Sequence, residues 1–198
     1  MYILEGNIGA GKSTFLKMIH DHIPEIKVSF EPLHNWQSQI YGQSLLANYM
    51  EKPRRWSYTF ETFAMMCRVK EHVWHQQEQK ASHIIERSIF SGHYCFSLNG
   101  YANGFMSHLE WKMYNDWFNF LIPQHCKAPL GFIYLKTDPE IAFTRIKKRN
   151  RLAEKKITYT YIEQLHDYHE KFLIEKQGLV PMLQKIPVLI IDCNEEFK

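Results

Sequence analysis

The sequence predicts an α/β fold with a five-stranded parallel sheet covered by helices on both faces. Three observations carry this. Five short β-rich runs read as buried strands, and longer amphipathic stretches separate them, so that right-handed helical crossovers impose parallel pairing. The third is size: 198 residues, 45% hydrophobic and 15% aromatic, fit one compact core, so a single domain over 1–198 is expected.

Taken in order, the strand runs are Y-I-L-E (2–5), K-V-S-F-E (27–31, stopped by Pro32), S-H-I-I-E (82–86), G-F-I-Y-L-K (131–136) and V-L-I-I-D (188–192). Helical spacing predicts helices over 13–22, about 38–50, 54–80, 107–122, 139–149 and 159–177. In the third of these, Phe60, Phe63 and Cys67 read as the inward stripe, with Trp56 and Trp74 in line. Glu61 and Arg68, seven residues apart, stand nearly above one another on a different face of that helix. The aromatic run W-K-M-Y-N-D-W-F-N-F (111–120) reads as core or dimer interface rather than a nucleic-acid stacking platform. His72 with His75, and His166 with His169, have i,i+3 spacing without a third ligand nearby, and read as exposed helix residues.

A net charge of +3 is too small to argue for nucleic acid, and no apolar run approaches the length that spans a bilayer. The chain opens on Y-I-L-E-G, unlike a secretory signal. Cys67, Cys95, Cys126 and Cys193 form no C-x-x-C pair, which fits reduced thiols in a cytoplasmic compartment. Charge is concentrated in R-I-K-K-R-N-R-L-A-E-K-K (145–156), where seven cations face the single acid Glu154. Alone, that run would read as a solvated helix face.

Open sheets of this type bind ligands beyond the carboxyl ends of their strands. After the first strand comes G-N-I-G-A-G-K-S-T: Gly6, Asn7, Ile8, Gly9, Ala10, Gly11, Lys12, Ser13 and Thr14. This fits G-x-x-x-x-G-K-[ST] with a strand before it and a helix after. Its glycines let backbone N–H groups turn around a phosphate at a helix N-terminus, Lys12 adds a point charge, and the Ser13 hydroxyl suits Mg²⁺. The second strand delivers Glu31 to the same crevice, and the third delivers Glu86, Arg87 and Ser88.

Those residues, with F-E-P-x-x-x-W (30–36), E-K-P-x-R-W-S-Y-T-F (51–60), I-E-R-S (85–88), W-x-x-Y-x-D-W (111–117), R-I-K-K-R-N-R and a final D-C-N-E-E-F, resemble the deoxyribonucleoside kinases. The likeness is to the group containing deoxycytidine, deoxyguanosine and mitochondrial-type thymidine kinases, and it runs along essentially the whole chain. It implies a P-loop kinase fold with an arginine-rich lid at about 145–157, transfer of the ATP γ-phosphate to a deoxynucleoside 5′-hydroxyl with Mg²⁺, and a homodimer. By motif position it implies Glu31 as general base, Arg87 on the 5′ end of the acceptor and the transferred group, and Glu86 helping Ser13 hold the metal. Arg145, Arg149 and Arg151 would close on the phosphates, Glu154 would reach the sugar 3′-hydroxyl, and Trp36, Phe60 and Phe96 would wall the base pocket. Glu196 and Phe197 would lie near the donor base.

The chain departs from the family pattern at three positions. Met50 stands where relatives carry a sugar-contacting tyrosine, with Tyr49 one residue earlier; Glu61 replaces the base-reading glutamine; and Gly92 replaces the aspartate that partners the helix arginine in deoxycytidine kinase. A carboxylate offers two acceptors, which match the N1–H and 2-amino donors of guanine, while Arg68 would donate to guanine O6 or N7 and Ala64 would leave room for a purine. The expectation is a deoxyguanosine preference, with deoxyadenosine second. Open alternatives are a Glu61–Arg68 salt bridge, a protonated Glu61 that behaves as glutamine, a deoxyadenosine or broad-specificity or pyrimidine deoxynucleoside kinase, a thymidylate-type monophosphate kinase, and a non-catalytic nucleotide-binding subunit.

Overall fold

A computed structural model describes residues 1–31, 39–40, 43–77, 82–151, 154–195 and 197. Five strands form one all-parallel sheet: β1 (Tyr2–Glu5), β2 (Lys27–Ser29), β3 (His83–Glu86), β4 (Gly131–Lys136) and β5 (Val188–Asp192), in the spatial order β2-β3-β1-β4-β5. The order reverses direction at β1, so β1 and β3 end side by side, with Leu4 opposite Glu86. That switch point opens a crevice above their carboxyl ends.

Successive strand residues face opposite sides of the sheet, which sorts the core into two layers. Ile3, Ile85 and Phe132 pack into the larger cluster, with Met65 and Val69 from α3 (Pro53–His75), Phe118 and Ile122 from α6 (His108–His125), and Phe172 from α8 (Tyr159–Leu173). Leu4, Ile84 and Leu135 pack on the opposite face against Leu16 of α1 (Lys12–His22). The remaining helices are α2 (Leu45–Glu51), α4 (Ile89–Ser91), α5 (Leu98–Ala102) and α7 (Pro139–Arg149).

Several expected boundaries move. The helix expected from about residue 38 begins at Leu45, because Gln39–Ile40 and Gln43–Ser44 pair as a small antiparallel hairpin and Ser44 caps the helix through the Ala47 N–H. The helix expected to run to residue 177 ends at Leu173, where Lys176 and Gly178 take left-handed conformations. Between α4 and α5 the chain forms a π-helical segment, Gly92–Ser97, that sequence reading did not anticipate. Wide turns of this kind recur at functional sites.

The inward face of α3 also differs from the expected stripe. Its buried residues are Ser57, Glu61, Ala64, Met65, Val69, His72 and His75, whereas Phe63 and Trp74 are exposed and Cys67 is half-buried. Of these, Glu61 borders a cavity, together with Phe60 and Arg68 of the same helix. The histidines correct a second expectation: His72, His75 and His169 are buried, and His166 is partly so. Among the described residues no His, Cys, Asp or Glu cluster could hold a metal ion. The four cysteines are free thiols, and no described helix is long and apolar enough to cross a membrane.

Candidate active site

The phosphate loop connects β1 to α1. Gly9 and Gly11 have φ of 85° and 91°, and a Cβ on Gly9 would come within 2.3 Å of the Ala142 carbonyl oxygen, so the turn needs glycine for both conformation and space. Asn7 staples the loop from within, accepting from the Ile8 N–H and donating to the Ile162 carbonyl. Lys12 is buried and donates to the carbonyls of Gly6 (3.0 Å) and Asn7 (2.8 Å). Burial, with the charge of Arg87 added, pushes its pKa down to about 7 against the pull of Glu86, Glu31 and Glu5. A bound phosphate would restore its charge.

The end of β3 supplies Glu86 and Arg87. Arg87 has φ of 63°, rare for a residue with a side chain, yet its N–H still bonds to the Leu4 carbonyl as if the ladder continued. The turn aims its guanidinium over the Phe96 ring, 4.6 Å from the centroid, with Nε 3.2 Å from Glu31 Oε2. Ser88 holds this turn. Its hydroxyl accepts from the Phe90 and Ser91 N–H groups and donates to Oε1 of the fully buried Glu5 at 2.5 Å. Nothing in the sequence singles out Glu5 for this part, apart from its place as the last residue of the first strand.

Glu31 lies just beyond β2. Arg68 Nη2 reaches its Oε1 at 2.6 Å. Burial alone would raise this carboxyl; the charges of Arg87 and Arg68, with the Arg68 hydrogen bond, outweigh it and hold the pKa below the usual range. Glu86 accepts from the Ser13 hydroxyl through both oxygens, at 3.1 and 3.2 Å. A serine hydroxyl beside a carboxylate is the hard-oxygen pair that Mg²⁺ takes while keeping several waters.

These groups line one cavity of about 400 Å³. Of the expected site residues, Ile8, Gly9, Gly11, Lys12, Ser13, Thr14, Glu31, Tyr49, Phe60, Glu61, Arg68, Glu86, Arg87, Phe96, Arg149, Arg151 and Glu154 border it. Tyr49 stacks on Phe60 with ring centroids 4.7 Å apart. Arg149 makes a bidentate pair with Glu154, both distances 2.6 Å, and Arg151 approaches the same carboxylate at 3.8 Å. Phe30, Leu46, Met50, Ile157 and Tyr161 also line the cavity and were not singled out as lining from sequence. Their only signal was proximity to motifs.

Other expected residues lie elsewhere. Arg145 donates to the carbonyls of Cys193, Asn194 and Glu195, fastening the C-terminal segment instead of bordering the cavity. Phe197 packs on the phosphate loop, where a Cβ on Gly11 would meet its ring at 2.7 Å. Ala64 is buried within α3, and Gly92 lies against Arg68, whose Nη1 would be 2.8 Å from a Cβ there. Gly6, Asn7 and Ala10 form the loop's inner side. Trp36 and Glu196 lie outside the described residues.

Glu61 does not form the salt bridge with Arg68 that the sequence left open. Its Oε2 accepts from the Ser97 hydroxyl at 2.7 Å, and Arg68 turns to Glu31.

A parallel sheet with a phosphate loop at its switch point, two carboxylates and converging arginines defines a nucleotide-dependent phosphotransferase. The model of the deoxynucleoside kinase family matches residues 2–198. Among curated relatives, the chain is 37% identical over 218 residues to mitochondrial deoxyguanosine kinase of Xenopus laevis, covering 98% of this chain and 82% of that protein. It is 36% identical over 219 residues to deoxycytidine kinase 2 of Gallus gallus, with the same coverage of both chains. It is 34% identical over 218 residues to human deoxycytidine kinase, covering 98% and 84%. The chain belongs to the deoxynucleoside kinase family, and its activity is ATP-dependent phosphorylation of a deoxynucleoside.

Proposed function

We propose that this kinase favours deoxyguanosine as acceptor, with deoxyadenosine second, and that the observation carrying this reading is a buried carboxyl, Glu61, bordering the acceptor cavity. A carboxylate there pairs with the two adjacent donors of guanine, whereas a glutamine would pair with one donor and one acceptor. Names among the relatives include both deoxyguanosine and deoxycytidine kinases, so family membership leaves the base open.

In the proposed mechanism Glu31 accepts the proton of the 5′-hydroxyl, and Arg87 steadies that oxygen and the transferring group. Lys12, Arg149 and Arg151 spread cationic charge around the phosphoryl oxygens, with the lid at about 145–157 carrying the two arginines. Ser13 and Glu86 would hold Mg²⁺, which supplies charge neutralisation between the outer phosphates. Glu154 would meet the sugar 3′-hydroxyl when Arg149 turns to phosphate, and Tyr49, beside Met50, would be the neighbouring sugar contact. The pairing of Glu154 with Arg149 and Arg151 supports this exchange.

A homodimer through α3 and α6 completes the reading. Phe63 and Met66 on one helix, and Leu109, Met113, Trp117 and Phe120 at one-turn spacing on the other, are exposed apolar residues on two packed helices. Free thiols suit the cytoplasm. The deciding experiment is an acceptor panel of the four deoxynucleosides with ATP and Mg²⁺. Deoxyguanosine should have the highest kcat/KM; a preference for thymidine or deoxycytidine at neutral pH would overturn the base assignment and leave the kinase activity standing.

A further inference from the structure

We infer that Glu61 reads the acceptor base in two protonation states, selecting guanine as the carboxylate and adenine or cytosine as the carboxylic acid, so that acceptor choice turns with pH. The inference rests on the acceptor reading above and deepens it.

The surroundings of Glu61 are mostly neutral polar groups, with Arg68 the nearby cation. The side chain is 4% exposed, and among the described residues it has no ion-pair partner. Its donor among the described residues is the Ser97 hydroxyl from the π-helical segment, at 2.7 Å, and Ser97 Oγ lies 3.0 Å from the Tyr114 hydroxyl of α6. A hydroxyl has one hydrogen, so if Ser97 donates to Glu61, Tyr114 donates to Ser97. Tyr49 from α2 and Tyr161 from α8 face the same carboxyl, and burial raises both phenols, leaving them neutral. His93 stacks on Tyr114 behind this chain, and burial keeps it neutral as well. The nearby cation, Arg68 on the same helix, has Nη2 on Glu31 at 2.6 Å.

A buried carboxyl held by neutral donors keeps its proton more tightly than one in water. Burial moves Glu61 up to about 7, with the Ser97 bond and the Arg68 charge pulling partly back. Both forms therefore coexist near neutrality. The carboxylate presents two acceptors to guanine N1–H and its 2-amino group. The acid presents one donor and one acceptor, matching adenine N1 with its 6-amino group or cytosine N3 with its 4-amino group. The proton exchanges with solvent before the acceptor binds, and none passes to the nucleobase.

The test is a competition assay: deoxyguanosine and deoxyadenosine in one reaction with ATP and Mg²⁺, the two monophosphates separated, from about pH 6 to about pH 8.5. Every group that acts equally on both acceptors cancels from the product ratio. The deoxyguanosine to deoxyadenosine ratio should rise by about tenfold per pH unit, the dependence expected when one substrate needs the ionised and the other the protonated form of a single group. In Glu61→Gln the ratio should be flat and displaced toward deoxyadenosine. Ser97→Ala, which removes the donor and keeps the carboxyl, should retain the slope and displace the line toward deoxyadenosine at every pH. A flat wild-type ratio, a slope surviving in Glu61→Gln, or an undisplaced line in Ser97→Ala overturns the inference. Absence of any phosphorylated deoxynucleoside at every pH would remove the acceptor reading itself, and the inference with it.

Discussion

Arg68 and Glu31, 37 residues apart in the chain, meet at 2.6 Å, so the arginine on the cavity-facing side of α3 is bonded to the carboxylate beyond β2. Gly92 permits this contact, since a Cβ there would stand 2.8 Å from Arg68 Nη1. With Arg87 on its other oxygen, Glu31 is held ionised and aimed. Glu31→Gln would remove the proposed proton acceptance without changing a residue of the phosphate loop. Turnover should fall by at least about a hundredfold, with ATP affinity within about twofold of wild type. Steady-state kinetics with ATP binding measured separately checks this, and unchanged turnover would move the base role to another group.

Arg149 and Arg151 should matter most when charge spreads over the transferring phosphoryl group. Arg149→Ala and Arg151→Ala are each expected to lower kcat by about ten- to a thousandfold, with a smaller effect on the acceptor KM. Glu154 loses its bidentate partner in the first variant and keeps it in the second. A change confined to the acceptor KM would sink the lid assignment.

The sheet was legible because its strands fall in short β-rich runs separated by longer helical stretches, and the phosphate loop because its glycines, lysine and serine must stand in one order. The cavity's far wall was less legible. Phe60, Phe63 and Cys67 have helical spacing, yet the buried face of α3 runs through Glu61, Ala64 and His72, since periodicity counts apolar residues and cannot see that a polar face lines a cavity. His72, His75 and His169 read as exposed and His93 was not singled out, because histidine burial is decided by contacts made across elements rather than along one, as where His93 stacks against Trp111, Tyr114 and Phe118. Glu31 and Arg68 were each found, but their pairing is tertiary and leaves no mark in local sequence.

Ser88 links catalysis to stability. Its hydroxyl serves two N–H groups of α4 and gives its hydrogen to Glu5, which is fully buried and whose pKa burial raises, against the Ser88 bond and Arg87. Ser88→Ala removes a helix cap and strips a buried carboxyl of a donor, which should cost about 1–3 kcal/mol of folding stability. Because Ser88 directly follows Arg87, whose backbone is left-handed, kcat should drop alongside, while ATP affinity changes less. Denaturant unfolding and kinetics on the same sample decide it. A variant as stable as wild type would mean that Glu5 finds another donor.

Buried neutral histidines weaken the fold as pH falls. Burial pushes His93 and His169 down to about 3 and His72 down to about 4, the last despite its bond to the Lys127 carbonyl. An unfolded histidine titrates near about 6.5. Between that value and the native ones the unfolded chain binds more protons, so stability rises with pH there. The contribution is fully present above about pH 6.5 and is lost progressively as pH falls toward 4. Glu61 and Glu5, whose pKa burial raises, act in the opposite sense over the same interval, so the histidine contribution is read from the difference in melting temperature between wild type and a histidine variant. His93 gives the sharpest check, since its ring centroid lies 3.7 Å from that of Phe118 and its Nδ1 has no partner among the described residues. His93→Leu keeps an apolar side chain of similar size and removes the titration. It should melt lower at neutral pH through lost stacking, yet lose less stability between about pH 6.5 and 4.5 than wild type does. Parallel melting curves across that interval would show that His93 does not take up a proton on unfolding.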